Sequence, residues 1–120
     1  MRNAQINIMQ NADNSSSQTG TAFDVGQVVS ASFLGYFGDV TATGTLKIQA
    51  SNDNPAPSQY RGNFVPTNFA DIPNASANVT SGGSVLITIP NMCYSYVRAV
   101  YTRSSGGTST INIMMNSLSV

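Results

Sequence analysis

Between Gly44 and Ser51, apolar and polar residues alternate one for one: Leu46, Ile48 and Ala50 against Thr45, Lys47 and Gln49. Side chains of an extended chain point alternately to opposite faces, so this stretch reads as a strand with one face buried. The same period of two returns in Ser84–Pro90, with Val85, Ile87 and Ile89 on one face. It returns again in Tyr94–Arg103, where Val97, Ala99 and Tyr101 oppose Tyr96, Arg98, Val100 and Thr102. No window of helical length shows a convincing 3.6-residue period, and strong helix formers are scarce beside Val, Ile, Thr, Tyr and Phe. The pattern therefore demands an all-β fold.

The remaining segments fit around these three. Ala4–Met9 alternates weakly and reads as a short first strand, followed by a polar loop, Gln10–Gly20. Thr21–Phe37 is a long apolar segment in which Gly26 and Gly35 mark bends or bulges. Asn52–Pro57 stops the Gly44–Ser51 strand, because proline cannot donate to a ladder. Ser58–Asn68 is irregular, Phe69–Ile72 is at most a short strand before Pro73, and Asn74–Gly83 reads as a loop. Thr108–Leu118 places Ile111, Ile113 and Met115 on one face. With Ser104-Ser105-Gly106-Gly107 as a turn tolerant of positive φ, it reads as the second arm of a hairpin begun by Tyr94–Arg103. Six to eight short strands between Gly, Pro and Asn turns predict an antiparallel β-sandwich of jelly-roll or Ig-like type. One domain, 1–120, is expected, with 1–20 as an N-terminal arm and polar loop.

Charge is nearly absent. The chain of 120 residues has five Lys+Arg and five Asp+Glu, 8% charged against about 25% in an ordinary domain. It has no His, no Trp and no Glu; Lys47 is its only lysine and Cys93 its only cysteine. A Cys/His zinc centre, a His-based triad and an intrachain disulfide are thereby excluded. Zero net charge without a basic run argues against nucleic acid. No apolar run is long enough for a membrane helix. Met1–Gln5 lacks the charged and apolar parts of a secretory signal, so the expectation is a mature product made in a cytoplasm.

Sixteen Ser, eleven Thr and thirteen Asn supply the polarity that Lys and Glu usually supply. Protein interfaces are depleted in Lys, Glu and Asp, and strand edges are usually guarded by charge. A chain so poor in both reads as one whose exterior meets other protein, with a neutral secreted β-protein as the alternative.

Candidate sites are few. Asp53, in Ser51-Asn52-Asp53-Asn54, reads as a turn residue bonding its own backbone rather than as a calcium ligand. Arg98, among Tyr94, Tyr96 and Tyr101, reads either as a ligand-binding guanidinium or as a partly buried partner of Asp53. The structural pair Asp53–Arg98 is preferred, and losing Arg98 from a buried pair would cost about 2–4 kcal/mol. The tyrosines at 36, 60, 94, 96 and 101 could stack on sugars, although ordinary sheet packing accounts for them. Cys93 is expected to be a buried, inert thiol. Asp24, Asp39 and Asp71 share no motif, and no glycine-rich stretch precedes a Lys-Ser/Thr pair. No catalytic residue, metal or cofactor is expected, and the chain is read as no enzyme.

The order of several segments resembles small β-sandwich structural proteins of tailed bacteriophages. The segments are Gly44–Asp53, then Phe69-Ala70-Asp71-Ile72, then Tyr94–Thr102, the turn Ser105-Gly106-Gly107 and the strand Ile111–Met115. The resemblance spans roughly residues 40–116. It departs at Phe69, where the pattern often has Trp, and at Asn116-Ser117-Leu118, where it often has a basic residue. It implies a virion protein that decorates or cements a capsid, or an accessory piece of vertex, neck or tail. Its partners would be the major capsid protein or other virion proteins, within a homo-oligomer for which a trimer is the expectation. The alternatives are a carbohydrate-binding β-sandwich that attaches to host surface glycans and a subunit of a bacterial surface layer or fibre.

Overall fold

The computed structural model describes residues 2–54 and 64–120. These form nine strands and no helix: β1 (Arg2–Asp13), β2 (Gln18–Thr19), β3 (Phe23–Asp24), β4 (Val28–Phe37), β5 (Thr43–Ser51), β6 (Ala70–Val79), β7 (Gly83–Ile89), β8 (Tyr96–Ser105) and β9 (Thr110–Ser119). One sheet has the order β1-β9-β4-β7 and the other β2-β8-β5-β6, with β3 also pairing with β8. Every pairing is antiparallel. The expected all-β sandwich is therefore present. Tyr60 and the prolines of Asn52–Pro57 lie outside the described residues.

The winding distinguishes between the two expected sandwich types. β2 and β3 run successively along β8, with Thr19 opposite Val100 and Phe23 opposite Val97. Taken as one interrupted strand, they leave eight strands. First then pairs with last, second with seventh, third with sixth and fourth with fifth. The chain is a long hairpin ribbon, doubled back between β5 and β6 and rolled until it makes two sheets. That is a jelly roll.

This winding overturns the expected β8–β9 hairpin. β8 pairs with β5 in one sheet, whereas β9 pairs with β1 and β4 in the other. The glycine turn is a corner between sheets. Gly107 has φ 98°, and a Cβ there would collide with the carbonyl of Asn14. The turn is thus pressed into the end of the sandwich, and local sequence cannot tell this from a hairpin turn.

Two further segments differ from expectation. The expected first strand, Ala4–Met9, is present but longer: β1 pairs with β9 from Arg2 to Asp13 at the sheet edge and takes in the start of the expected loop Gln10–Gly20. Register shifts between Asn7 and Met9 and between Met9 and Ala12 let Ile8 and Met9 both turn inward. β6 continues through Pro73 to Val79. It is an edge strand, and Gln49 pairs with Asp71 while Lys47 pairs with Ser76, so the chain bulges around Pro73 and Asn74. Asn74 takes a φ of 63° there. Proline is tolerated because an edge position and a bulge need no N–H at that point.

The core lies between the sheets as the alternation requires. Phe33 and Phe37 of β4, Leu46 and Ile48 of β5, Val97 and Tyr101 of β8, and Ile111 and Ile113 of β9 are all buried. Burying each large apolar side chain contributes about 1.5–3 kcal/mol. Phe37 and Tyr101 meet across the two sheets with ring centroids 4.9 Å apart.

Candidate functional site

The two outer faces of the sandwich differ in charge. In the four-stranded sheet, β4, β7 and β9 contain no charged residue, and the two charges of β1, Arg2 and Asp13, are its end residues. The outward positions form cross-strand rows. Asn7, Met114, Leu34 and Leu86 lie side by side across β1, β9, β4 and β7. On one side of this row stand Gln5, Asn116, Ser32 and Thr88, and on the other Asn112, Tyr36 and Ser84. Met114, Leu34, Tyr36 and Leu86 are 37%, 47%, 52% and 63% exposed. The face is an apolar centre within an amide and hydroxyl surround.

The five-stranded sheet carries charge. Arg98 of β8, Gln49 of β5 and Asp71 of β6 are cross-strand neighbours. The Arg98 Nε–H donates to Gln49 Oε1 at 2.9 Å, and Gln49 Nε2 donates to Asp71 Oδ1 at 2.9 Å. Lys47 Nζ lies 3.2 Å from Asp71 Oδ1. The guanidinium of Arg98 also stacks on Phe69, 4.0 Å from the ring centroid. Hydrogen bonds from Gln49 and Lys47 hold the Asp71 carboxyl below the usual carboxylate range. The expected Asp53–Arg98 pair is not formed. Among the described residues the one ion pair is Lys47–Asp71.

Asp53 binds backbone instead. Its Oδ2 accepts from the N–H groups of Thr67 and Asn68 at 2.9 and 3.0 Å, and the Asn68 amide bonds the same carboxylate. These donors, Asn68 N–H foremost, hold its carboxyl low. Asp53 therefore ties the strand end after β5 to the approach to β6. The expected local turn is not what this carboxylate makes: its backbone partners are fourteen and fifteen residues away.

The other candidates also separate. Tyr96 and Tyr101 are buried, Tyr94 is half-buried and Tyr36 is exposed on the opposite sheet, so they form no common stacking platform. Cys93 is exposed, contrary to the expected buried thiol. It sits in the crossing between the sheets after β7, where only Met92 turns inward. A shallow cleft of about 240 Å³ lies beside Tyr94, Asn52, Asn68 and Asp71. Among the described residues no three His, Cys, Asp or Glu side chains come together as a metal site would require.

Sequence reasoning missed the most heavily bonded group, Asp39. Its Oδ1 accepts from Thr41 N–H, Thr41 O–H and Ala42 N–H at 2.8, 2.9 and 3.0 Å. Its Oδ2 accepts from Thr108 N–H at 2.6 Å, Thr108 O–H at 3.1 Å and Asn14 Nδ2 at 3.2 Å. The Thr108 N–H foremost holds this carboxyl far below the usual range. The cluster joins three loops at one end of the sandwich. The signal available beforehand was Asp-x-Thr at 39–41, an Asx-type turn. Its two distant partners had no local signal.

No protein-family model matches the chain, and no curated protein resembles it significantly in sequence. Solved structures do resemble it. The SPBc2 prophage-derived protein YomS superposes with a TM-score of 0.59 at 13% identity, over 98% of this chain and 94% of that one. What is shared is the fold. A component of Bacillus endospore appendages, described as disulfide-linked pili, gives a TM-score of 0.53 at 12% identity over 99% and 88% of the two chains. A chitosan-binding module of a Paenibacillus chitosanase/glucanase is more distant, with a TM-score of 0.48 at 17% identity over 92% and 74%.

Proposed function

We propose that this chain is a non-enzymatic structural subunit of a phage-type virion, a capsid decoration or cement protein or a minor capsid subunit, that works by protein–protein contact. The observation that carries this reading is the uncharged outer face of the four-stranded sheet. Its Met114–Leu34–Leu86 row is exposed across three strands. Covering it removes apolar surface from water at a gain of about 25 cal/mol per Å². The surrounding Asn, Gln, Ser and Thr side chains can exchange water for protein partners without stripping a charge, a step that is costly unless pairing is complete. A rigid sandwich with such a face suits a load-bearing joint between neighbours. The likeness in fold to a prophage-derived protein accords with this reading.

A pull-down on purified phage particles tests it. Wild-type protein should sediment with the particles, and Leu86→Asp, at an exposed position that leaves the fold intact, should remain in the supernatant. Equal sedimentation of the two, or no sedimentation of the wild type with any shell, would overturn the reading.

A second reading, attachment to host glycans, rests on the cleft beside Tyr94, where the Asn52 and Asn68 amides and the Asp71 carboxylate could bond hydroxyls. Ligand pockets usually measure roughly 300–1,000 Å³. This one, at about 240 Å³, is smaller, so the reading stands second. A glycan array decides: selective binding that Tyr94→Ala abolishes would favour it.

A further inference from the structure

We infer that the uncharged face of the four-stranded sheet is covered by the same face of a second copy of this chain, in a two-fold pair. The inference rests on the reading of this face as an assembly surface and names its occupant: the pair is the unit that joins the particle, so Leu86 acts on particle binding through pairing.

Charge matching is the first argument. A partner that brought Lys, Arg, Asp or Glu against this sheet would find no opposite charge, because β4, β7 and β9 have none. Its charges would lose water without compensation. The matching surface must itself be uncharged, apolar at the centre and rich in amides and hydroxyls. The chain supplies one such surface. Its other outer face does not qualify, since Lys47, Asp71 and Arg98 project from it.

Geometry is the second argument. Leu34 stands between Met114 and Leu86 in a single row. A two-fold axis through Leu34, about 15° from the β4 direction, would lay Leu34 on its own counterpart and Met114 of each copy against Leu86 of the other. Sheets stack face to face about 10 Å apart with interdigitated side chains, at angles near −30°. An isologous contact of this kind closes at two copies, which favours a pair over the trimer expected from the sequence.

Area is the third argument. β4 and β9 are ten residues long. Four strands spaced by about 4.8 Å and rising about 3.3 Å per residue give a face of roughly 19 by 33 Å, or about 1,250 Å² for two copies. Specific pairs bury roughly 1,200–2,000 Å², so the face is just sufficient for a reversible dimer.

Sedimentation velocity of the purified full chain, without particles, tests the inference. Wild type should shift from monomer to dimer with concentration up to about 100 µM, the range expected for a small interface. Leu34→Lys and Leu86→Lys should each weaken the dimer by roughly tenfold or more with unchanged melting temperature, because each buries an unpaired charge. Thr102→Lys, on the opposite face, should leave it intact. A wild type that stays monomeric throughout, or a dimer indifferent to both leucine variants, would overturn the inference. A monomer that still sediments with particles through Leu86 would overturn the pair and leave the virion reading standing. A Leu34-dependent dimer that ignores particles would do the reverse.

Discussion

Asn14 and Ser109 bond each other in both directions. The Asn14 N–H donates to the Ser109 carbonyl at 3.1 Å, and the Ser109 N–H donates to Asn14 Oδ1 at 2.9 Å. Ninety-five residues separate them in the chain. Asn14 is fully buried, and its remaining amide N–H points to Asp39. One side chain thus joins the loop after β1, the turn before β9 and the loop before β5.

Asn14→Leu should therefore be among the most damaging single substitutions. It leaves the part-buried Ser109 N–H without its acceptor and removes a donor from Asp39. A cost of about 2–4 kcal/mol is expected, from one unsatisfied part-buried group and the overpacking that a leucine brings. Urea unfolding monitored by tyrosine fluorescence measures it; a loss below about 1 kcal/mol would refute the account.

Acid should unfold the protein more readily than base. Asp13, Asp39, Asp53 and Asp71 all have carboxyls held below the ordinary 3.8, by hydrogen bonds in each case. A carboxyl lowered in the folded state binds fewer protons there than in the unfolded chain. Its contribution is complete above the ordinary value and is lost as pH falls through the folded one. With no His in the chain, no imidazole titrates between pH 5 and 8. The melting temperature should be level across that range and fall below about pH 4. Asp39→Asn should lower it at pH 7 and flatten the acid slope, because an amide NH₂ would oppose the Thr108 and Asn14 donors. An unchanged slope would count against Asp39 as a principal source.

Arg98→Ala should be mild. The guanidinium binds Gln49 and covers Phe69 rather than pairing with a buried carboxylate. At a half-buried site a cation–π contact is worth between about 0.5 and 2 kcal/mol, so a loss near 1 kcal/mol replaces the 2–4 expected of a buried ion pair. Thermal denaturation separates the two values.

Tyr101→Phe should be neutral or slightly stabilising. The ring is buried against Phe37, but the phenol oxygen has no hydrogen-bond partner among the described residues. Burial pushes the phenol pKa up. Deleting an unsatisfied buried hydroxyl removes a desolvation cost of about 1–3 kcal/mol, less the packing that the oxygen provides. A clear loss of stability would show that the hydroxyl is satisfied after all.

Much of the core was legible because strand alternation is local. Leu46, Ile48, Val97, Ala99, Tyr101, Ile111, Ile113 and Met115 are all buried, on the faces their spacing assigned. Connections were less legible. The turn at Gly106-Gly107 fits a hairpin or a corner equally well until β9 is seen beside β1 and β4. Pro73 reads as a strand stop unless β6 is known to be an edge that bulges there. Cys93 reads as buried because it borders an apolar strand, but it follows Met92 in a crossing segment whose inward position Met92 takes.

The candidate face divides in the same way. The sequence by itself determined that the segments forming β4, β7 and β9 carry no charge and that Leu86 and Met114 oppose the buried residues of their own strands, while Leu34 was read only as part of a long apolar segment. Both are properties of single segments, set by composition and by the two-residue period. Only the tertiary structure decided that these segments, far apart in the chain, lie in one sheet and in a register that aligns the three side chains. The reason is that strand pairing is chosen by burial across the whole sandwich, where rolling the ribbon sends neighbouring strands to opposite sheets and brings distant ones together.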